Sequence, residues 1–106
     1  MKVLIIIPAF NEEQSLAGVI DDLKKSGYAN ILVVNDGSGD KTGEIAKKKN
    51  VKVATHVMNR GLGAALGTGF AYAKAQKYDV LVTFDADGQH RASDIRSLIT
   101  PIIDRR

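Results

Sequence analysis

Asp85-Ala86-Asp87-Gly88-Gln89-His90 sets two carboxylates two positions apart, directly behind the apolar run Val80–Phe84. Carboxylates so spaced at the end of a sheet can hold a hard divalent cation, which takes oxygen ligands. An ion shared with substrate phosphates neutralises charge that develops on a departing diphosphate. Gln89 adds a neutral oxygen donor, and Gly88 permits a tight backbone. Asp-Ala-Asp-Gly also reads as a polar turn that closes a strand. Its place behind a buried strand favours the metal.

Other residues of this kind stand at two earlier strand ends. Asp36 closes Val-Val-Asn-Asp-Gly-Ser, where a carboxylate can accept a hydrogen bond from a ribose hydroxyl or a base N–H. Asp-Gly is also a common strand-ending turn, so both readings stand. Glu12 and Glu13 fall in the first turn of a helix, where they complement its dipole. That accounts for Glu13; Glu12 lies nearer the strand end and can receive a donor from a ligand. Pro8 and Phe10 offer a backbone carbonyl and a flat apolar surface for a base. Gly61-Leu62-Gly63-Ala64-Ala65-Leu66-Gly67 fails the dinucleotide fingerprint, because Leu66 stands where the third glycine is required. Gly61 and Gly63 instead let backbone pass near a ligand or pack a helix closely on the sheet. His56 has no polar constellation near it in sequence and reads as a surface or loop histidine. His90 reads as structural or as a phosphate contact. Ser15, Ser26 and Ser93 read as caps or surface residues.

Regular elements must position these residues. Val3–Ile7, Ile31–Val34, Val51–Thr55 and Val80–Phe84 are apolar runs of strand length. Leu16, Val19, Ile20 and Leu23 recur at helical spacing, with Asn11 and Gln14 as the predicted cap and Gly27 as the stop. A weakly patterned helix is expected over Lys41–Lys49, and an alanine-rich one after Gly63 ending near Gln76. A last helix is predicted from Ser93, with Ile95, Leu98, Ile99 and Ile102 on one face and Pro101 kinking it. Strands alternating with helices imply an α/β fold, a Rossmann-like parallel sheet with helices on both faces. The expected strand order is 3-2-1-4, with ligands bound beyond the strands' carboxyl ends beside the reversal point.

The chain has 106 residues, 44% hydrophobic and 25% charged, within the range of one globular domain, 1–106. That balance argues against intrinsic disorder. With no cysteine, disulfides, thiolate metal sites and a cysteine nucleophile are excluded. The net charge of +3 is small and scattered, and Lys47–Lys49, the one run of three, reads as a solvated helix face, so no nucleic-acid partner is expected. No apolar stretch reaches a membrane span, and Pro8, Asn11 and Glu12 interrupt the first run too early for a signal peptide. The expected location is cytoplasmic.

Four segments occur in order: Val-Leu-Ile-Ile-Ile-Pro-Ala-Phe-Asn-Glu-Glu, Ile-Leu-Val-Val-Asn-Asp-Gly-Ser-Gly-Asp-Lys-Thr, Asn-Arg-Gly-Leu-Gly-Ala-Ala and Asp-Ala-Asp-Gly-Gln-His. Together they resemble the nucleotide-sugar-binding half of family 2 glycosyltransferases with the GT-A fold, most nearly the dolichol- or polyprenyl-phosphate mannosyltransferase-like enzymes. The resemblance runs from Met1 to about Ile103. It implies that Pro8, Phe10 and Glu12 contact the nucleoside, and that Asp36, with Val34 beside it, holds the base or ribose. It implies that Asp85, Ala86 and Asp87 line the diphosphate, with Asp87 and Gln89 on a divalent cation, Mg²⁺ or Mn²⁺. Phe10 replaces a frequent tyrosine, Asn35 a second aspartate, and Gly39 a threonine. The partners implied are a GDP- or UDP-sugar donor and a polyprenyl-phosphate acceptor.

The resemblance also implies an acceptor-binding half with a catalytic carboxylate, and no residue of this chain matches that base, so no catalytic residue is assigned. Membrane association would come through such further parts or partners, and a homo-oligomer would cover the surface that half leaves bare. Two other readings compete: a non-catalytic nucleotide-sugar-binding module that acts with a partner chain, and a phospho-acceptor signalling domain. The last wants acidic residues at the end of the first strand, where Pro8 stands instead.

Overall fold

The computed structural model describes residues 2–88, and the backbone of 99–101. Four strands, β1 (Val3–Ala9), β2 (Ile31–Asp36), β3 (Lys52–His56) and β4 (Val80–Thr83), alternate with helices α1 (Leu16–Lys25), α2 (Thr42–Lys48) and α3 (Leu62–Ala75). The four strands are parallel in the order β3-β2-β1-β4, as the alternation implies. A short β5 (Ile99–Pro101) pairs antiparallel with β4 at the edge. The expected last helix is therefore corrected at Ile99 and Pro101; residues 93–98 lie outside the described residues. Extended Ile99-Thr100-Pro101 closes the open edge of β4, and proline is tolerated in an edge strand, where its missing N–H breaks no ladder.

Side-chain alternation divides the core into two layers. Ile5, Ile7, Ile31, Val33, Val80 and Val82 pack against Leu16, Val19, Ile20 and Leu23 of α1 and Ala46 of α2. Leu4, Ile6, Leu32, Val34 and Leu81 meet Ala65 and Ala73 of α3. Both faces are covered, which explains why the strands are apolar without interruption. Gly27, at φ 93°, follows the end of α1 as anticipated, with the Tyr28 N–H donating to the Leu23 carbonyl. The cap at the other end differs. Ser15 precedes α1, whereas Asn11 adopts φ 54° and turns its side chain to the next loop.

Helix α3 approaches β1 closely because it carries Gly69. A Cβ there would lie within 3.0 Å of three side-chain atoms of fully buried Ile6. At Gly67, two residues earlier and on the exposed side of the helix, a Cβ would meet nothing within 4 Å. Gly69→Ala is expected to destabilise the chain by about 1–3 kcal/mol through overpacking, whereas Gly67→Ala should stabilise it by up to about 1 kcal/mol through helix propensity. Urea denaturation of both variants checks the opposite signs.

Candidate functional site

The loops after β1, β2 and β4 meet at the carboxyl end of the sheet, and a network of side-chain to backbone bonds holds the first two together. Ser38 Oγ accepts the Asn11 N–H at 3.0 Å, and Asn11 Oδ1 accepts the Gly39 N–H at 2.8 Å. Thr42, fully buried, accepts the Glu12 N–H at 2.9 Å while its hydroxyl donates to Asp40. Asp40 also accepts the Glu13 N–H at 3.2 Å, and Glu13 accepts the Lys41 N–H at 3.3 Å. Burial, the largest influence on Asp40, pushes its carboxyl up, but the Thr42 and Glu13 donors together hold it below its ordinary value. Glu13 is thus bound to the neighbouring loop, a role beyond the dipole complement expected of it. Asn35, 7% exposed, closes its own turn by accepting the Ser38 N–H.

Asp36 is the second knot. It is 4% exposed, yet it lines a cleft. Oδ1 accepts the Arg60 N–H at 3.0 Å and lies 2.7 Å from His56 Nδ1, and Oδ2 accepts the Gly61 N–H at 2.8 Å. The Arg60 N–H and then the His56 N–H hold the Asp36 carboxyl below its usual range, against burial. His56 is therefore not the surface or loop histidine expected from sequence. Its side chain is 8% exposed, with Nε2 2.8 Å from Thr68 Oγ1. The cause is strand register: Asp36 and His56 are direct partners at the ends of parallel β2 and β3. Gly37, at φ 71°, gives the loop room, since a Cβ there would strike the Met58 and Asn59 backbone.

Two openings share this end of the sheet. A cleft of about 260 Å³ is lined by Pro8, Ala9, Phe10, Glu12, Asp36 and the Asn59–Leu62 region. It gathers five of the residues singled out from the sequence, Pro8, Phe10, Glu12, Asp36 and Gly61. Val34 lies behind it, fully buried against the α3 layer. A second opening, about 350 Å³, is lined by Asn11–Ser15, Asp40 and Asp87. Glu12 borders both. Ser15 ties them, its hydroxyl 2.5 Å from the Ala86 carbonyl and 3.3 Å from Glu12 Oε2, a role beyond the cap or surface function expected of it. Ala86 is buried, and Asp85 and Asp87 are exposed. Gln89 and His90 lie outside the described residues. Among the described residues, no three acidic or histidine side chains gather closely enough to hold a metal ion by themselves. Nor, among them, is any helix long and apolar enough to cross a membrane.

This arrangement is that of a GT-A glycosyltransferase sheet, and the chain belongs to glycosyl transferase family 2, whose family profile matches residues 4–106. It is 40% identical over 118 residues to a UDP-N-acetylglucosamine–dolichyl-phosphate N-acetylglucosaminyltransferase of Methanococcus voltae, covering 95% of this chain and 47% of that protein. It is 37% identical over 108 residues to an undecaprenyl-phosphate mannosyltransferase of Micrococcus luteus, covering 96% of this chain and 44% of the relative. Among solved structures it resembles glucosyl-3-phosphoglycerate synthase of Mycobacterium tuberculosis, crystallised with Mn²⁺, UDP and glucosyl-3-phosphoglycerate. That likeness has a TM-score of 0.68 and 26% identity, over 80% of this chain and 33% of the other. The chain thus spans less than half the length of these relatives.

The Asp36 knot has a pH signature. Its folded-state value lies below the unfolded one, so the stability it contributes is fully present above the ordinary value of 3.8 and is lost as the pH falls through the folded value. Asp36→Asn should therefore lower the urea midpoint at neutral pH, with the gap from wild type closing in acid. A gap that stays constant well below 3.8 would assign the loss to shape rather than charge.

Proposed function

We propose that this chain binds a nucleotide-diphosphate sugar, GDP- or UDP-linked, as the donor half of a glycosyltransferase that inverts the sugar centre and uses a polyprenyl phosphate as acceptor. The observation that carries the reading is the cleft into which Pro8, Phe10, Glu12 and Asp36 converge from the ends of β1 and β2, next to the opening lined by Asp87. The Phe10 ring and the Pro8 carbonyl serve the nucleoside, with Asp36 receiving a donor from base or ribose. Asp85, Ala86 and Asp87 then face the diphosphate across the Ser15 tie. The names of the relatives support the acceptor class, and the UDP and Mn²⁺ of the structural neighbour support the donor and the ion.

Asp87, with Gln89 and supported by Asp85, would hold a divalent cation, Mg²⁺ or Mn²⁺. The donor set is all oxygen and suits a hard ion, and its few protein ligands leave positions for diphosphate oxygens. Such an ion neutralises charge on the departing diphosphate. The chain's own part is to orient the donor and hold the two carboxylates at the diphosphate end. Deprotonating the acceptor falls to a base beyond the residues assigned here.

Calorimetric titration with UDP and GDP, in Mn²⁺ and in EDTA, tests this. At least one diphosphate should bind in Mn²⁺, and chelation or Asp87→Ala should abolish that binding while circular dichroism stays unchanged. Unchanged diphosphate affinity in EDTA would sink the metal assignment. Failure of both nucleotides to bind in Mn²⁺ would sink the donor reading itself.

A further inference from the structure

Asp36 lines the cleft, and His56 and Thr68 continue from it in a hydrogen-bonded chain outside the lining. A carboxylate can only accept, so His56 Nδ1 carries the proton toward Asp36 Oδ1, while Nε2 lies 2.8 Å from the Thr68 hydroxyl, which holds the ring in place. An ionised carboxylate offers about four acceptor positions, two on each oxygen. Among the described residues, Oδ1 accepts from His56 and Arg60, whereas Oδ2 accepts from Gly61 alone. Oδ1 is saturated, and Oδ2 keeps one position. The two backbone donors belong to the loop itself; the side-chain donor is His56.

The candidate bases differ in what they bring to such an acceptor. Uracil presents one N–H between two carbonyl oxygens. Guanine presents a ring N–H beside an amino group, two parallel donors that pair best with both oxygens of a carboxylate, in the way a guanidinium does. A carboxylate with one position left matches a single donor. A second donor brought to the saturated oxygen would go unpaired in a largely desolvated place, the situation that gives hydrogen-bonding sites their strongest discrimination.

We propose that His56 is a positioning residue that makes Asp36 a single-position acceptor, so that the cleft selects uracil over guanine. This rests on the nucleotide reading above and goes beyond it by naming the base and the residue that sets it.

The test is the ratio of UDP to GDP affinity, measured by calorimetry in Mn²⁺ for the wild-type chain, His56→Asn and His56→Gln, with urea midpoints taken in parallel. The wild-type chain should favour UDP by about tenfold or more, as expected when a polar site rejects a mispaired edge. The asparagine amide nitrogen falls near the place of Nδ1, so His56→Asn should keep most of that ratio. The glutamine nitrogen falls near Nε2, keeps Thr68 but frees Oδ1, and should bring the ratio toward one. Should His56→Gln fail to fold, Thr68→Val, which keeps the ring but frees it to turn, should lower the same ratio. A histidine with a merely structural role would lower both affinities by one factor and leave the ratio alone. A wild-type ratio near one, or a ratio that survives both His56→Gln and Thr68→Val, overturns the proposal. A wild-type chain that binds neither nucleotide overturns the donor reading as well, which separates the two failures.

Discussion

A carboxylate buried at the end of a parallel sheet is costly unless donors meet its oxygens, and Asp36 is such a carboxylate. Its own turn offers no donor to it among the described bonds. All three come from the end of β3 and the connection that follows it: the His56 ring and the N–H groups of Arg60 and Gly61. Satisfying this one group therefore fixes the path of the whole β3–α3 connection. That path brings Met58 and Asn59 so close to Gly37 that no side chain fits there. It also delivers Gly61 and Leu62 to the cleft as α3 begins. Position of the loop, start of the helix and shape of the cleft wall all follow from where Asp36 finds its partners.

The strand runs and the α1 face were legible because burial on both sides of a parallel sheet leaves an unbroken apolar signature. Leu16, Val19, Ile20 and Leu23 are all in the core, and the order of the four parallel strands followed from alternation and handedness. Local signals failed where partners are distant in sequence. His56 stands 20 residues from Asp36, so no window of neighbouring residues reveals the pair. The signal was present in register: both residues end their strands, and β2 and β3 are adjacent. Asn11 looked like a helix cap because its side chain suits one, yet it serves the β2–α2 loop 28 residues away. Ile99 has helical spacing with its neighbours, and tertiary pairing with β4 overrides that pattern.

The two openings at the sheet end are best understood as one site divided by Glu12. Its backbone N–H is held by Thr42, its carboxylate lies 3.3 Å from the Ser15 hydroxyl, and that hydroxyl donates to the Ala86 carbonyl. Three segments are thereby joined through Glu12 and Ser15: the loop after β1, the start of α2 after the β2 loop, and the loop that carries Asp85 and Asp87. A nucleoside placed against Pro8 and Phe10 and a diphosphate placed toward Asp87 would lie on opposite sides of Glu12. The geometry of one end cannot shift without loading the bonds that define the other. The rigidity comes from short contacts between backbone and small polar side chains, chiefly serine and threonine. Those residue types carry little rotamer entropy to lose. A surface of long charged side chains would have held the same loops less firmly, which gives a physical reason for the serine, threonine, asparagine and aspartate that fill the first two strand ends.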